Sequence, residues 1–217
     1  MDNSEGMYYN KYKKYKIKYL SLKNINKYQK GGVKNVLIHI AGPQGSGKTT
    51  IGNKLKEMYG NKIYMKDLDD LNSDFHQQDS IKDYQKFIDN FISSHKDKPL
   101  ILVGLDADLC LGPTINPQLE GYQIRTPHKY YIDIDFETNL KQWFFRQVNK
   151  LSDRKEVFYN NWLKDNKKIQ DKIFGYVDIN ERKKNKIECD NLYKKRGYQF
   201  MNYEKIFQEC KDILKLD

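Results

Sequence analysis

The sequence predicts an α/β fold with a parallel sheet covered on both faces. Three observations carry that expectation. Short apolar runs are continuous rather than alternating, as strands buried on both faces require. Each run is followed by a stretch of helical spacing, which is the order that builds parallel sheets. A glycine-rich turn joins the first run to the first helical stretch, at Gly42–Thr49. The chain of 217 residues, 38% of them hydrophobic, is long enough to bury a core as one domain. No apolar run approaches the roughly 20 residues needed to span a bilayer.

Taken in order, the elements begin with a separate segment over residues 1–32. Tyr8, Tyr12, Tyr15, Tyr19 and Leu22 follow alternating steps of four and three, which places them on one face of an amphipathic helix. Lys30-Gly31-Gly32 reads as a linker to a domain over 33–217. Val36–Ile40 is the first strand, and Thr49 to about Tyr59 the first helix. Lys62–Met65 is the second strand, ending in Lys66-Asp67-Leu68-Asp69-Asp70. Ser80–Ser94 has helical spacing, and Leu100–Val103 is a buried-type strand. A long connection leads to a fourth strand at Tyr130–Ile134 and a helix from Glu137 to about Leu151, capped by Asp135. Residues 155–195 form a lysine-rich insertion with Asp178 and Glu181 suited to a helix cap. Tyr198–Met201 and Tyr203–Leu214 are the last strand and helix.

The charge is uneven. Lys and Arg total 39 against 29 Asp and Glu, for +10. Residues 1–31 carry eight lysines against Asp2 and Glu5, so +6 of that charge sits in the leading segment. A basic segment attracts nucleic acid or acidic surfaces, but a Lys-, Asn-, Ile- and Tyr-rich composition throughout the chain explains it equally well. Arginine is scarce: Arg125, Arg146, Arg154, Arg182 and Arg196 are the full set. The stripe is mostly tyrosine, which argues against a membrane-surface role. Cys110, Cys189 and Cys210 are odd in number and far apart, and read as reduced thiols of an intracellular, cytoplasmic protein.

Gly42-Pro43-Gln44-Gly45-Ser46-Gly47-Lys48-Thr49 fits G-x-x-x-x-G-K-[ST] at every fixed position, between a strand and a helix. Glycines let backbone N–H groups turn inward, and the helix start adds a positive dipole end. Lys48 supplies a mobile charge for β- and γ-phosphates, and the Thr49 hydroxyl suits Mg²⁺. Residues 42–50, with Thr50 closing the run, are therefore the expected ATP-binding loop. Asp67 and Asp69 fall at the carboxyl end of a strand, where open α/β sheets bind ligands. A carboxylate there can orient and deprotonate an acceptor hydroxyl while another serves Mg²⁺. A solvated acidic turn is the competing reading.

On these motifs the chain resembles the small P-loop kinases, the group of adenylate, shikimate and gluconate kinases, over about residues 36–214. The resemblance implies a three-layer P-loop fold with strand order 2-3-1-4-5 and a helical lid within about 146–195. Asp67 and Asp69 match the Asp-x-Asp of the shikimate-kinase-like branch, which implies Asp69 as hydroxyl ligand or base and Asp67 near the metal. Arg146 and Arg154 are similar in placement to paired lid arginines, one for adenine stacking and one, Arg154, for transition-state charge. An ordinary amphipathic-helix arginine is the competing reading for Arg146. A third-strand Asp should help place Mg²⁺, whereas Asp106 lies beyond Gly104, so it fits that metal role less well. Trp143, Phe144, Phe145, Tyr159 and Trp162 read as packing. The segment 8–32 resembles Tyr/Lys-rich leaders of giant-virus proteins, which implies a viral source.

No arginine lies between Gly60 and Cys110, which disfavours a phosphorylated acceptor. The expected activity is transfer of the γ-phosphoryl group of Mg·ATP to a hydroxyl of a small metabolite, sugar or nucleoside. The alternatives are a nucleotide-binding regulator or scaffold with little turnover, and a polynucleotide 5′-hydroxyl kinase.

Overall fold

The computed structural model describes residues 36–74, 81–106, 123–148, 159–160, 164 and 178–216. The leading segment 1–32 with its aromatic stripe lies outside these residues, as do Arg154 and Trp162.

Five strands form one all-parallel sheet: β1 Leu37–Ala41, β2 Tyr64–Asp67, β3 Leu100–Val103, β4 His128–Ile132 and β5 Gln199–Met201. Their spatial order is β2-β3-β1-β4-β5, the order expected. Ile40 pairs with Val103 on one side and Tyr130 on the other, so β1 is central and delivers its carboxyl end to the middle of the sheet. Among the described residues the helices with defined bounds are α1 Lys48–Tyr59, α2 Leu68–Asp74, α3 Ile81–Ser94, α4 Phe136–Val148, α5 Ile179–Lys195 and α6 Tyr203–Leu214.

Residue alternation along β1 assigns the two faces. Ile38 and Ile40 join Ile101, Val103, Tyr130 and Ile132 in a core roofed by Ile51 and Leu55 of α1 and Ile206 of α6. On the opposite face Leu100 and Leu102 meet Leu68, Leu71 and Ile88 of α2 and α3. Ala41 and Tyr131 meet Cys189 and Tyr193 of α5 there, together with Tyr198. Each fully buried aliphatic side chain is worth about 1.5–3 kcal/mol, and both faces of the central strands are covered in this way. Leu140, Trp143, Phe144 and Tyr159 pack together, as expected of those aromatics.

The caps read from sequence are present where described. Asp135 Oδ1 accepts from Thr138 N–H at 2.8 Å, and Asp178 Oδ1 accepts from Asn180 and Glu181 N–H. Two local expectations differ. Residues 60–62 form a 3₁₀ turn, so β2 starts later than expected and runs to Asp67. Asp69 is therefore not on the strand but in the first turn of α2, a helix not anticipated from Leu68-Asp69-Asp70-Leu71-Asn72-Ser73-Asp74. Cys210 is a free, buried thiol, but Cys189 is disulfide-bonded, which departs from the expectation of three reduced thiols. Distance along the chain gives no measure of proximity in the fold. Among the described residues no helix is long and apolar enough to cross a membrane.

Candidate functional site

β1 ends at buried Ala41, and the glycine-rich loop Gly42–Gly47 turns directly into α1. The start of α1 has no acidic residue in its first turn, and Gly47, in the left-handed region at φ 94°, offers no side-chain cap. Its first N–H groups and positive dipole end therefore face the loop with no carboxylate of the helix's own first turn to neutralise them. Lys48 folds over the loop and donates from Nζ to the carbonyls of Gly42 (2.8 Å) and Pro43 (3.0 Å). Burial pushes its ammonium down to about 8, against the pull of Asp69 and Asp67. Ser46 Oγ is buried beside Gly42 with no hydrogen-bond partner. The loop thus gathers an ammonium, an unused hydroxyl and a helix start, a set suited to an anion.

The acidic residues come to this loop from β2. Thr49 Oγ1 donates to Asp67 Oδ2 at 2.9 Å, while Asp67 Oδ1 accepts from Asp69 N–H at 3.1 Å. One carboxylate therefore ties the start of α1 to the start of α2. Burial raises the proton affinity of Asp69, reinforced by the negative charge of Asp67 and opposed by Lys48 and Arg146. Exposed Arg146, in the last turn of α4, thus acts electrostatically on both Lys48 and Asp69. Thr50 and Gln44 are exposed; Pro43 is buried. Thr49 and Asp67 provide hard oxygens of the kind Mg²⁺ takes, and that ion usually needs only one or two protein ligands. Among the described residues there is no cluster of three metal-ligating side chains.

Asp106 does not join this group, and the metal role expected of it is withdrawn. Its carboxylate is buried and fully engaged: Oδ1 accepts from Tyr193 Oη (2.8 Å) and Arg196 Nη1 (2.9 Å). Oδ2 accepts from Ile124 N–H (2.9 Å) and Tyr198 Oη (3.0 Å). Four donors fill the roughly four lone-pair sites of a carboxylate, leaving none for an ion. Buried His39 of β1 completes this hub. Its Nε2–H donates to Gly104 O at 3.1 Å, and its Nδ1 meets the Tyr198 hydroxyl. Burial holds the imidazole below its ordinary proton affinity despite Asp106. The hub fastens the end of α5 and the start of β5 beneath the sheet centre. Gly104 belongs here because its φ is 132° and a Cβ would stand 2.8 Å from Leu68 Cβ.

Three residues stand around the loop with a place there that the sequence did not announce, Trp143 having been read only as packing. Buried Asn139 donates from Nδ2 to Gln44 O at 2.9 Å. The Trp143 backbone lies against Gly45, where a Cβ would come within 3.1 Å of Trp143 Cα. The Arg182 guanidinium stacks 3.9 Å from the Trp143 ring centroid. A polar asparagine among the apolar positions of a helix was the one available signal. A separate cavity of about 400 Å³ opens beside β2, lined among others by Tyr64, Lys66, Leu71, Phe87 and Phe91, and no residue of the glycine loop lines it.

Set against protein-family models the chain matches none, and among curated proteins no match is found, so the reading of this site rests on its own residues.

Proposed function

We propose that the chain is a phosphotransferase that binds Mg·ATP at residues 42–50 and transfers the γ-phosphoryl group to a hydroxyl of a small metabolite, sugar or nucleoside. The observation that carries this reading is the convergence of Lys48, Thr49, Asp67 and Asp69 at the carboxyl end of β1 and β2. Lys48 and the start of α1 would hold the β- and γ-phosphates. Thr49 and Asp67 would hold Mg²⁺, which supplies neutralising charge on the phosphates. Asp69 would accept the proton of the acceptor hydroxyl as its oxygen bonds to phosphorus and the bond to the β-phosphate oxygen breaks, releasing ADP. Its raised proton affinity suits that base role. Arg146 and Arg154 are proposed for the nucleotide and the transferring phosphoryl group. The unpartnered Ser46 hydroxyl is a further group an anion would satisfy.

Asp69→Asn tests the reading, because it should leave Mg·ATP affinity within about twofold while removing transfer, given that general-base contributions run to roughly 10²–10⁴-fold. Transfer at the wild-type rate would remove Asp69 from the chemistry. A second reading, a nucleotide-binding regulator with little turnover, is favoured by one observation: Asp106, the carboxylate that follows β3, is consumed by the hub and is not offered to a metal. Stable ATP binding without transfer to any acceptor would support it.

A further inference from the structure

The tip of the glycine loop is a tight turn with a defined peptide orientation. Ser46 N–H donates to Pro43 O at 3.1 Å, closing a four-residue turn whose third residue, Gly45, has φ 85°. Glycine at that position with positive φ marks a type II turn. Types I and II differ by a flip of the central peptide, here the one joining Gln44 to Gly45. In a trans peptide the C=O and N–H point in opposite directions, so the flip decides which face of the turn receives the Gly45 N–H.

Asn139 grips that peptide. Its Nδ2 donates to Gln44 O at 2.9 Å, and the residue is 5% exposed within α4. Asparagine is a poor residue for a helix interior, and a buried carboxamide needs partners. The helix carries it at the position that meets the loop carbonyl. One turn later the α4 backbone at Trp143 lies against Gly45, and Arg182 of α5 backs the Trp143 ring.

We infer that Asn139 is a positioning residue for anion binding: by holding the Gln44 carbonyl toward α4, it aims the Gly45 N–H to the opposite face, toward the ammonium of Lys48 and the start of α1. The inference rests on the nucleotide reading of the loop and deepens it, since it names the side chain that sets the loop's donor geometry.

Gln-Gly occurs once in the sequence, at Gln44-Gly45. Full-length protein labelled with ¹³C′-glutamine and ¹⁵N-glycine therefore reports a single amide, that of Gly45. Inorganic pyrophosphate should move this signal saturably in the wild type. In Asn139→Leu, of similar size but without a donor, and in Asn139→Asp, with an acceptor facing an acceptor, the response should be lost and Mg·ATP affinity should fall about tenfold, the scale of a hydrogen bond to a charged ligand. Should Asn139→Leu not fold, Asn139→Ala gives the same reading by deletion alone. Variants that respond and bind as the wild type does would overturn the role of Asn139. A wild type that binds Mg·ATP through Lys48 but shows no Gly45 response would overturn the aiming while leaving the nucleotide reading intact. A wild type that binds neither pyrophosphate nor Mg·ATP would overturn both.

Discussion

Thr49 Oγ1 donates to Asp67 Oδ2 at 2.9 Å, joining the first turn of the helix after the glycine loop to the last residue of β2. The two residues are 18 apart in sequence, and the parallel sheet brings them together across β3. Two oxygens at this separation, one anionic, form the part of the site best matched to a hard divalent cation.

Thr49→Val should therefore weaken binding of Mg·ATP by roughly 10–100-fold, the range of one interaction with a charged partner, while binding of metal-free ATP changes little. Thr49→Ser should restore most of the loss. Titration calorimetry with and without Mg²⁺ checks both, and equal losses in the two conditions would place Thr49 outside the metal site.

Lys48 gives a pH dependence with a definite sign. Burial lowers its ammonium from the ordinary 10.5 to about 8 in the folded protein. A depressed lysine penalises the folded state in full below about pH 8, and the penalty lifts as the pH rises from there to 10.5. A bound phosphate restores the charged form. Mg·ATP affinity should then be level up to about pH 8 and decline above it, with proton uptake on binding at about pH 9. Calorimetry in two buffers of different ionisation enthalpy reads that uptake directly; flat affinity without uptake would contradict it.

Asp106 should matter for stability and not for metal. Asp106→Ala removes the carboxylate bonds to Tyr193, Tyr198, Arg196 and the Ile124 N–H, and removal of one partner from a buried ion pair costs about 3–5 kcal/mol. Urea unfolding should show a loss of that size. In Asp106→Asn, folded at low temperature, Mg²⁺ dependence of nucleotide binding should match the wild type. A changed Mg²⁺ dependence would return Asp106 to the metal site.

The parts legible in the sequence were those encoded locally. β3 and α6 lie at the residues expected of them, because a continuous apolar run and an amphipathic period are properties of neighbouring residues. The glycine loop was legible for the same reason. The acidic cluster was only half legible: Asp67-Leu68-Asp69 reads as the end of a strand or as a solvated acidic turn, yet Asp67 caps a helix over Leu68–Asp74, so Asp69 lies in the first turn of α2 instead of ending β2. The remaining contacts depend on distant partners. Asn139 meets Gln44 across 95 residues, and His39 meets Tyr198 across 159. No spacing rule reaches that far, and the metal role for Asp106, already a poorer fit because it lies beyond Gly104, gives way to partners at Ile124, Tyr193, Arg196 and Tyr198 that its neighbours in sequence do not announce.

Phosphoryl transfer itself is read by offering γ-labelled Mg·ATP to a panel of acceptors. The panel holds nucleosides, nucleoside monophosphates, sugars, hydroxy acids and 5′-hydroxyl oligonucleotides, with Lys48→Ala as the blank. In the wild type, label should reach one class of unphosphorylated hydroxyl compound, and in the blank none. Label on water alone, or on nothing despite measurable ATP binding, would contradict the kinase reading and leave the nucleotide-binding regulator in its place.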